Sequence, residues 1–397
     1  MQESRLVFCT VFPNYRDYHF YKDPGQIPYR FSLQGYDASV VCYGKPGDNP
    51  ETERHLKVIT IPDRFITRKF SAGIAWYLVR HARRIDILNI FHYSWSSLLF
   101  AFIYKIFNRK GFSYLKLDDC IYARRNNSAP GEYRDAALRL GGTGAKSRIR
   151  RFIARRFFEG RIDLWSVEDE ESHRLLEAEN YFLKGKLITV YNGHTADLQG
   201  APLFSGFIKK EDIILTAGRL GTFQKATEVL LDAFRLIAGS SGYQLYLAGG
   251  VEPAFRPHVE QFFRDNPGLA DRVIFHGSLG RRELFELYNR SRIFCLPSRF
   301  EGMAVVLPEA MHYGNAIVTT ADGSLRPLIE AFRFGLIVES DDSRTLADAL
   351  LKLTTERELT RQMAEEARKI SSELLSWDRI TEGLTVAISG RIKQRSQ

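Results

Sequence analysis

Residues 294–320 read FCLPSRFEGMAVVLPEAMHYGNAIVTT and predict a strand, a loop, a helix and a second strand. The apolar run 292–296 is too short for a helix, which indicates a buried strand. Pro308 has no backbone N–H, so it must lie in the first turn of the helix, and Gly314 supplies the left-handed residue that ends the helix. Residues 316–320 then return as a buried strand. This order predicts a mostly parallel α/β sheet, with a helix that begins at the carboxyl end of a strand.

The start of this helix is a candidate anion site. Backbone N–H groups at about residues 303–307 should be free of helix partners, and ligands of doubly wound sheets bind at this edge. Two carboxylates, Glu301 on the loop and Glu309 in the first turn, flank the site. Because carboxylates accept hydrogen bonds from hydroxyls, the ligand should carry hydroxyls as well as negative charge, as a nucleotide-sugar does. The alternative is that both acids only favour the helix dipole.

Composition restricts the class of protein. A chain of 397 residues is long enough for two domains, and its hydrophobic and charged fractions are those of a globular protein. The four cysteines lie far apart without metal or disulfide spacing, which fits the reducing cytoplasm. We expect neither a signal peptide nor a membrane-spanning segment. The net charge of +9 favours an anionic partner, either a nucleotide, a nucleic acid or a membrane surface.

The E-x7-E pattern formed by Glu301 and Glu309, followed by AMHYG, resembles the signature of glycosyltransferase family 4, the group 1 glycosyltransferases. The resemblance implies an α/β GT-B fold, with two Rossmann-like domains and a deep inter-domain cleft. It implies a retaining enzyme that needs no metal and no cofactor, with a nucleotide-diphosphate sugar as co-substrate. By this resemblance Glu301 is a catalytic-site residue beside the donor sugar, and Glu309 holds the ribose. The donor sugar and diphosphate would meet the backbone amides of Gly302, Met303, Ala304 and Val305.

The remaining donor-site residues follow from the same resemblance in the second half. Strands are predicted at residues 213–217, 244–248 and 272–276, and a helix is predicted at 227–237. Arg219 and Lys225 resemble the Gly-Arg…Lys signature, in which both cations clamp the donor diphosphate. Cations suit this role because charge grows on the leaving diphosphate as the glycosidic bond breaks. The alternative for both is ordinary surface charge, and Ala226 stands where the family usually has glycine. Ser278 and Leu279 are implied to touch the nucleotide base.

In the first half the resemblance is mainly one of element order. Strands are predicted at residues 5–12, 38–43, 58–61, 85–91 and 113–117, and their carboxyl ends should share one edge. We expect Asp118 or Asp119 to contact acceptor or donor hydroxyls, although either could cap a turn. Tyr15, Arg16 and His92 are expected on the acceptor side, with an ordinary solvated loop as the alternative for each. The glycine-rich loop that many family members carry after the first strand is missing.

Residues 146–161, KSRIRRFIARRFFEGR, predict an amphipathic basic helix with seven cations and one acid. The favoured interpretation is that its apolar stripe, which comprises Ile149, Phe152, Ile153 and Phe157, packs on the sheet while the arginines are solvated. The alternative is contact with an anionic membrane that presents a lipid-linked acceptor. The two interpretations are compatible.

The predicted domains are residues 1–196 on the acceptor side, 197–376 for the nucleotide-sugar, and a C-terminal helix at 377–397 that crosses back onto the first. The predicted partners are a nucleotide-sugar donor and a glycan or lipid-linked acceptor of cell-surface polysaccharide biosynthesis. The predicted location is cytoplasmic, or peripheral on the inner face of the membrane. A non-catalytic nucleotide-sugar-binding protein is one alternative. A nucleic-acid-binding protein is less favoured, because the basic helix is single and carries no recognisable motif.

Overall fold

A computed structural model of the chain describes residues 5–44, 47, 50–62, 66–67, 70–117, 149, 152–179, 184–196, 198, 200–321 and 325–396. The chain divides into two compact units. Unit 1 comprises Met1–Asn192 with Trp377–Gln397, and unit 2 comprises Gly193–Ser376. The division between the units falls after Asn192, whereas the boundary predicted from the sequence follows residue 196.

Strands in the described residues form one parallel sheet in each unit. Unit 1 contains β1 (Val7–Val11), β2 (Asp37–Tyr43), β3 (Lys57–Ile61), β4 (Ile66–Thr67), β5 (Phe70–Ser71), β6 (Ile87–Phe91), β7 (Phe112–Lys116), β8 (Leu164–Val167) and β9 (Leu187–Thr189). Unit 2 contains β10 (Glu211–Ala217), β11 (Gln244–Ala248), β12 (Val273–Gly277), β13 (Ser291–Leu296), β14 (Ala316–Thr320) and β15 (Gly335–Val338). The sheet orders are β3-β2-β1-β6-β7-β8-β9 and β12-β11-β10-β13-β14-β15, while β4 and β5 form a separate antiparallel pair.

The described α-helices are α1 (Asp23–Leu33), α2 (Pro50–His55), α3 (Ala72–His81), α4 (Trp95–Phe107), α5 (Glu170–Glu179), α6 (Thr227–Ile237), α7 (Arg256–Asp265), α8 (Arg281–Arg290), α9 (Val306–His312), α10 (Arg326–Phe332), α11 (Ser343–Thr355), α12 (Arg357–Leu374) and α13 (Trp377–Ser396). Local chemistry explains several of the ends. The Ser94 hydroxyl accepts from the Ser97 N–H at 3.1 Å and caps α4, and the Asp342 carboxylate caps α11. The two doubly wound parallel sheets confirm the predicted α/β class with two Rossmann-like domains.

The C-terminal helix α13 belongs to unit 1. Trp377 at its start is fully buried, and the Asp378 carboxylate accepts from Arg30 of α1 at 2.9 Å. Near its end, Arg395 pairs with the buried carboxylate of Asp163, which also pairs with Lys105 at 2.5 Å. No helix among the described residues combines the length and the apolar character that a membrane crossing requires.

The segment with the predicted basic helix departs from the favoured interpretation. Residues 146–148 and 150–151 lie outside the described residues. Beyond them the chain forms a short π-helical turn, Ala154–Phe158, and a 3-10 turn, Glu159–Arg161. The four apolar side chains expected to pack on the sheet are exposed, with Phe152 65% and Phe157 50% exposed. Ala154 and Phe158, which lie four positions apart on the adjacent helix face, point inward instead.

Candidate functional site

The strand order of unit 2 reverses between β10 and β13, its first and fourth strands. In a doubly wound sheet, the ligand crevice opens at the carboxyl ends of the two strands where the order reverses. The loop after β10 carries Arg219 and Lys225, and the loop after β13 carries Glu301. Three of the residues predicted for the donor site therefore lie on the two loops that this topology brings side by side.

Glycines allow the turns at this edge to approach closely. Gly249 follows β11 with φ of 138°, and a Cβ added there would lie 1.8 Å from the carbonyl oxygen of Gly218. The Gly218 N–H donates to Ala248 at 3.0 Å, and the Gly249 N–H donates to Gly277 at 2.7 Å. Only glycine fits at position 249, because any side chain would collide with backbone. The ends of β10, β11 and β12 are thereby fixed next to one another.

Lys225 and Glu301 form a direct ion pair in which the ammonium donates to Glu301 Oε1. The Glu301 side chain is almost buried, and Gln224 Nε2 donates to its other oxygen at 3.3 Å. The exposed Arg219 joins the same group, since its guanidinium donates to Gln224 Oε1 at 3.1 Å. The structure thus brings together the three charged residues predicted for diphosphate and sugar, and adds Gln224, which sequence reasoning missed.

Arg299 links the loop after β10 to the loop after β13, and sequence reasoning missed this residue as well. Its backbone N–H donates to Gln224 O at 2.8 Å, and its guanidinium donates to Phe223 O at 2.6 Å. The guanidinium also pairs with Glu228 at 2.5 Å and Asp341 at 2.6 Å, and lies 4.3 Å from the Phe223 ring centroid. Because a guanidinium has five donors in a fixed plane, one side chain can fix the turn that carries Lys225 against the loop that carries Glu301.

Glu309 lies in α9, in a more buried position than its predicted role suggests. Its carboxylate is 2% exposed and accepts from Arg281 at 2.7 Å and from the Tyr288 hydroxyl at 3.4 Å. Burial, together with the Glu309 carboxylate, raises the pKa of Tyr288 well above its usual value, so the phenol remains a donor. Arg281 also contacts the Thr195 hydroxyl. Any ribose that binds Glu309 must therefore share this carboxylate with Arg281.

The predicted backbone-amide site lies directly before α9. The helix begins at Val306, so Gly302, Met303, Ala304 and Val305 form the segment directly before it. The Leu307 N–H donates to Ala304 O at 3.0 Å, which corrects the expectation that the Leu307 amide is available to a ligand. Ser278 and Leu279 lie in the turn between β12 and α8, with Ser278 exposed. Arg281 follows this turn directly and links it to Glu309.

The strand order of unit 1 reverses in the same way, between β1 and β6. His92 follows β6 in the left-handed region with φ of 59°, its N–H donates to Lys116 O at 2.9 Å, and its ring lies 5.6 Å from the Phe12 ring. Arg16 is exposed on the loop after β1. Tyr15 is fully buried against Phe12, which corrects the expectation that its side chain lines the acceptor side. Asp118 and Asp119 lie outside the described residues.

A buried ionic cluster lies at the same edge of unit 1. The ammonium of Lys116, the last residue of β7, contacts Glu168 at 2.8 Å, Asn192 at 3.1 Å and Asp23 at 3.3 Å. Burial disfavours the charged form of Lys116, but the Glu168 and Asp23 carboxylates outweigh it and raise the pKa above its usual value. The cluster joins the ends of three strands to the start of α1. Sequence reasoning missed it, although Glu168 and Asn192 each follow closely on a strand.

His312 at the end of α9 predicts a loss of stability in acid. Burial, followed by the nearby Arg368, lowers the pKa of His312 from 6.5 to about 4. Between these values the unfolded chain binds the proton and the folded chain does not, so the free energy of unfolding falls as pH is lowered through this range. We expect a loss of about 2–3 kcal/mol between pH 7 and pH 4 from this group.

Urea unfolding at several pH values checks this contribution. His312→Asn should make the stability profile less steep between pH 6.5 and 4, because one of the groups that titrate in this range is gone. The matched control is His258→Asn, which replaces an exposed histidine of the same unit. A His312→Asn profile that runs parallel to the parent profile would show that burial of His312 does not contribute.

A metal centre would be another kind of functional site. Within the ranges that the structure describes, three or more His, Cys, Asp or Glu side chains do not come together as a metal site would need. The candidate site is instead a set of cations, buried carboxylates and backbone amides. This set can bind an anion that also carries hydroxyls.

Part of the chain matches a known protein family. Residues 211–356 match the model of a protein family described as glycosyl transferases group 1. Mannosylfructose-phosphate synthase from Agrobacterium fabrum is 26% identical over 185 residues, which cover 45% of this chain and 40% of that protein. The chain thus aligns with about two fifths of the length of this curated relative.

Two solved structures share the fold over nearly the whole chain. Anabaena Alr3699/HepE in complex with UDP-glucose superposes with a TM-score of 0.70 at 16% identity, covering 97% of this chain and 100% of that chain. WaaG, a glycosyltransferase involved in lipopolysaccharide biosynthesis, gives a TM-score of 0.63 at 18% identity, with coverage of 97% and 100%. At these identities the likeness concerns the fold, and it confirms the predicted GT-B class.

Proposed function

We propose that this chain, whose residues 211–356 belong to the group 1 glycosyltransferases, transfers a sugar from a nucleotide-diphosphate sugar to an acceptor hydroxyl. The observation that carries the proposal is the contact between Lys225 and Glu301 where the sheet order of unit 2 reverses. A cation that suits a diphosphate and a carboxylate that suits sugar hydroxyls are adjacent there. In a nucleotide-diphosphate sugar, the sugar hydroxyls and the charged diphosphate are likewise next to each other.

Each residue has a distinct role in the proposed reaction. Arg219 and Lys225 bind the diphosphate and stabilise the charge that it gains when it leaves with the bonding electron pair. Glu301 accepts hydrogen bonds from the sugar hydroxyls, and Glu309 accepts them from the ribose. The acceptor oxygen forms the new bond to the anomeric carbon on the face that the diphosphate leaves, and its proton passes to the leaving phosphate. The configuration of the sugar is then retained, and the step requires no metal.

The finer parts of the proposal concern the donor and the acceptor. UDP-sugars are the first donors to test, since the HepE structure that shares this fold contains UDP-glucose. GDP-sugars are the second candidates. The proposed acceptor is a glycan or a lipid-linked glycan of cell-surface polysaccharide biosynthesis; WaaG, which shares this fold, is involved in lipopolysaccharide biosynthesis. The proposed location is cytoplasmic, with peripheral contact with the membrane, and Arg16 and His92 lie on the acceptor side.

A release assay tests the proposal. The full chain is incubated with UDP-, GDP-, ADP- and dTDP-sugars, with and without lipid-linked and soluble glycan acceptors, and the released nucleoside diphosphate is measured. The proposal expects release from one donor that increases with an acceptor. Saturable donor binding without release would favour the non-catalytic binding protein. Tight oligonucleotide binding with a steep salt dependence and no donor binding would favour the nucleic-acid-binding alternative.

Arg299→Ala is expected to raise the donor KM and to lower kcat/KM by about 10–100-fold, because the turn that carries Lys225 loses its fixed position beside Glu301. Arg299 is a positioning residue in this account, since all of its contacts named above are within the protein. Arg299→Lys should recover only part of the loss, because an ammonium cannot replace the planar fork. Steady-state kinetics with the donor varied measure both effects.

The matched control for Arg299 is Arg326→Ala. Arg326 is an exposed arginine of unit 2 that pairs with Glu330 on its own helix. Its removal should leave KM and kcat unchanged. If Arg299→Ala and Arg326→Ala gave the same kinetics while both proteins remained folded, the positioning role of Arg299 would be disproved.

A further inference from the structure

Three neighbouring helical segments of unit 1 expose apolar side chains. They are α3, α4 and the segment around the π-helical turn Ala154–Phe158, and α4 packs against both of the others. The exposed apolar residues are Trp76 on α3, Ile106 and Phe107 on α4, and Ile149, Phe152, Ile153 and Phe157 on the third segment. Such residues in water are normal when scattered singly, but a group on adjoining elements marks a contact surface.

The exposed charges on these segments and the turns after α3 and α4 are predominantly positive. The exposed cations are Arg80, Arg83, Arg84, Arg109, Lys110, Arg156 and Arg161. Within the described residues of the three segments and of the turns that follow α3 and α4, the acids are Glu159, which is 2% exposed and accepts from the Tyr93 hydroxyl, and the exposed Asp86, whose carboxylate accepts from the Val7 N–H at 2.7 Å. We call this surface the basic aromatic face. Its seven exposed cations therefore outnumber the one exposed acid of these segments and turns.

Three arginines of the basic aromatic face each lie close to an aromatic ring. The Arg80 guanidinium lies 4.9 Å from the centroid of the Trp76 indole, and the Arg156 guanidinium lies 5.6 Å from the Phe157 ring. Arg161 lies 5.6 Å from the ring of the half-buried Phe102 on α4. Each pair places an apolar body next to a charged tip. This is the combination that suits the boundary between lipid headgroups and acyl chains.

We infer that the basic aromatic face of unit 1 docks on the surface of an anionic lipid bilayer. Anionic headgroups would neutralise the seven exposed cations, while Trp76, Phe107, Phe152 and Phe157 enter the headgroup region. The aliphatic side chains Ile106 and Ile149 favour lipid over nucleic acid, because they gain by leaving water but cannot stack on bases. The face extends well beyond the basic segment 146–161. The inference deepens the proposed membrane contact, yet its test does not depend on sugar transfer.

Vesicle flotation tests the inference with the full chain. The vesicles contain phosphatidylcholine alone, or phosphatidylcholine with about one third phosphatidylglycerol. The chain should float with the anionic vesicles and not with the neutral ones, and raised salt should weaken binding. Arg109→Glu with Lys110→Glu should lower the vesicle partition coefficient by about tenfold or more, because two attractive charges become repulsive. Trp76→Ala with Phe157→Ala should lower it by a similar factor.

Matched controls distinguish binding through the basic aromatic face from binding through charged or apolar side chains elsewhere on the protein. Arg264→Glu with Arg282→Glu makes the same charge change on exposed helical residues of unit 2, and Leu203→Ala with Ile208→Ala removes two exposed apolar side chains there. Both should bind vesicles as the parent does. Equal loss in the controls, no binding by the parent, or preference for an oligonucleotide over anionic vesicles would overturn the inference. Thermal melts confirm that each variant is folded, and nucleoside diphosphate release reports independently on the proposed transfer.

Discussion

Replacing Glu301 with glutamine is expected to lower kcat for sugar transfer by about 10²–10³-fold. In the proposed reaction of the unsubstituted protein, the Glu301 carboxylate accepts hydrogen bonds from the sugar hydroxyls while charge develops on the atoms of the breaking bond. The binding of the nucleoside diphosphate without sugar should persist or tighten, because the Lys225 ammonium that contacts Glu301 becomes available to phosphate. Kinetics and calorimetric titration with the nucleoside diphosphate measure the two effects separately.

Lys225→Met provides the complementary variant. It removes a charge-assisted hydrogen bond to the diphosphate, so nucleoside diphosphate affinity should fall by about 10–100-fold. Glu330→Gln is the control, since Glu330 is an exposed acid of the same unit that pairs with Arg326. The account expects opposite effects of Glu301→Gln and Lys225→Met on diphosphate binding. Loss of binding in both variants would mean that the pair acts as a structural brace and not as a donor site.

Lys116→Met is expected to destabilise the protein by about 3–5 kcal/mol, because it removes the cation that pairs with the buried Glu168 carboxylate and with the partly buried Asp23 carboxylate. Urea unfolding followed by tryptophan fluorescence is the measurement, since buried Trp165 lies on the neighbouring strand β8. The double variant Lys116→Met with Glu168→Gln should be less damaging than the sum of the single variants, because it removes one uncompensated charge. A loss of less than about 1 kcal/mol in the free energy of unfolding would contradict the conclusion that this ionic cluster stabilises unit 1.

The strands and helices of unit 2 could be predicted closely because local signals agree with one another there. The helix at 227–237 and the strands at 244–248 and 316–320 have the predicted bounds. Short apolar runs between glycine and proline residues leave few alternatives in a buried parallel sheet. The family resemblance then identified Arg219, Lys225 and Glu301, and the structure brings these three together on adjacent loops.

The positioning residues could not be predicted in the same way. Arg299 binds the Phe223 carbonyl 76 positions earlier in the chain, and Arg281 reaches Glu309 from a different helix. Such contacts depend on how loops meet after folding and leave no local pattern. The apolar stripe at 149–157 failed for another reason, since the adjacent face that carries Ala154 and Phe158 is also apolar, and periodicity alone does not say which of the two faces packs inward.

In the proposed function, unit 2 binds a nucleotide-diphosphate sugar through Arg219, Lys225 and Glu309. The most direct test is thermal unfolding of the full chain with UDP-, GDP-, ADP- and dTDP-sugars. One nucleotide class should raise Tm selectively, Arg219→Ala and Lys225→Met should abolish the shift, and Arg264→Ala should keep it. The absence of a shift with every donor, or an equal shift in the parent and in Lys225→Met, would contradict the proposed binding.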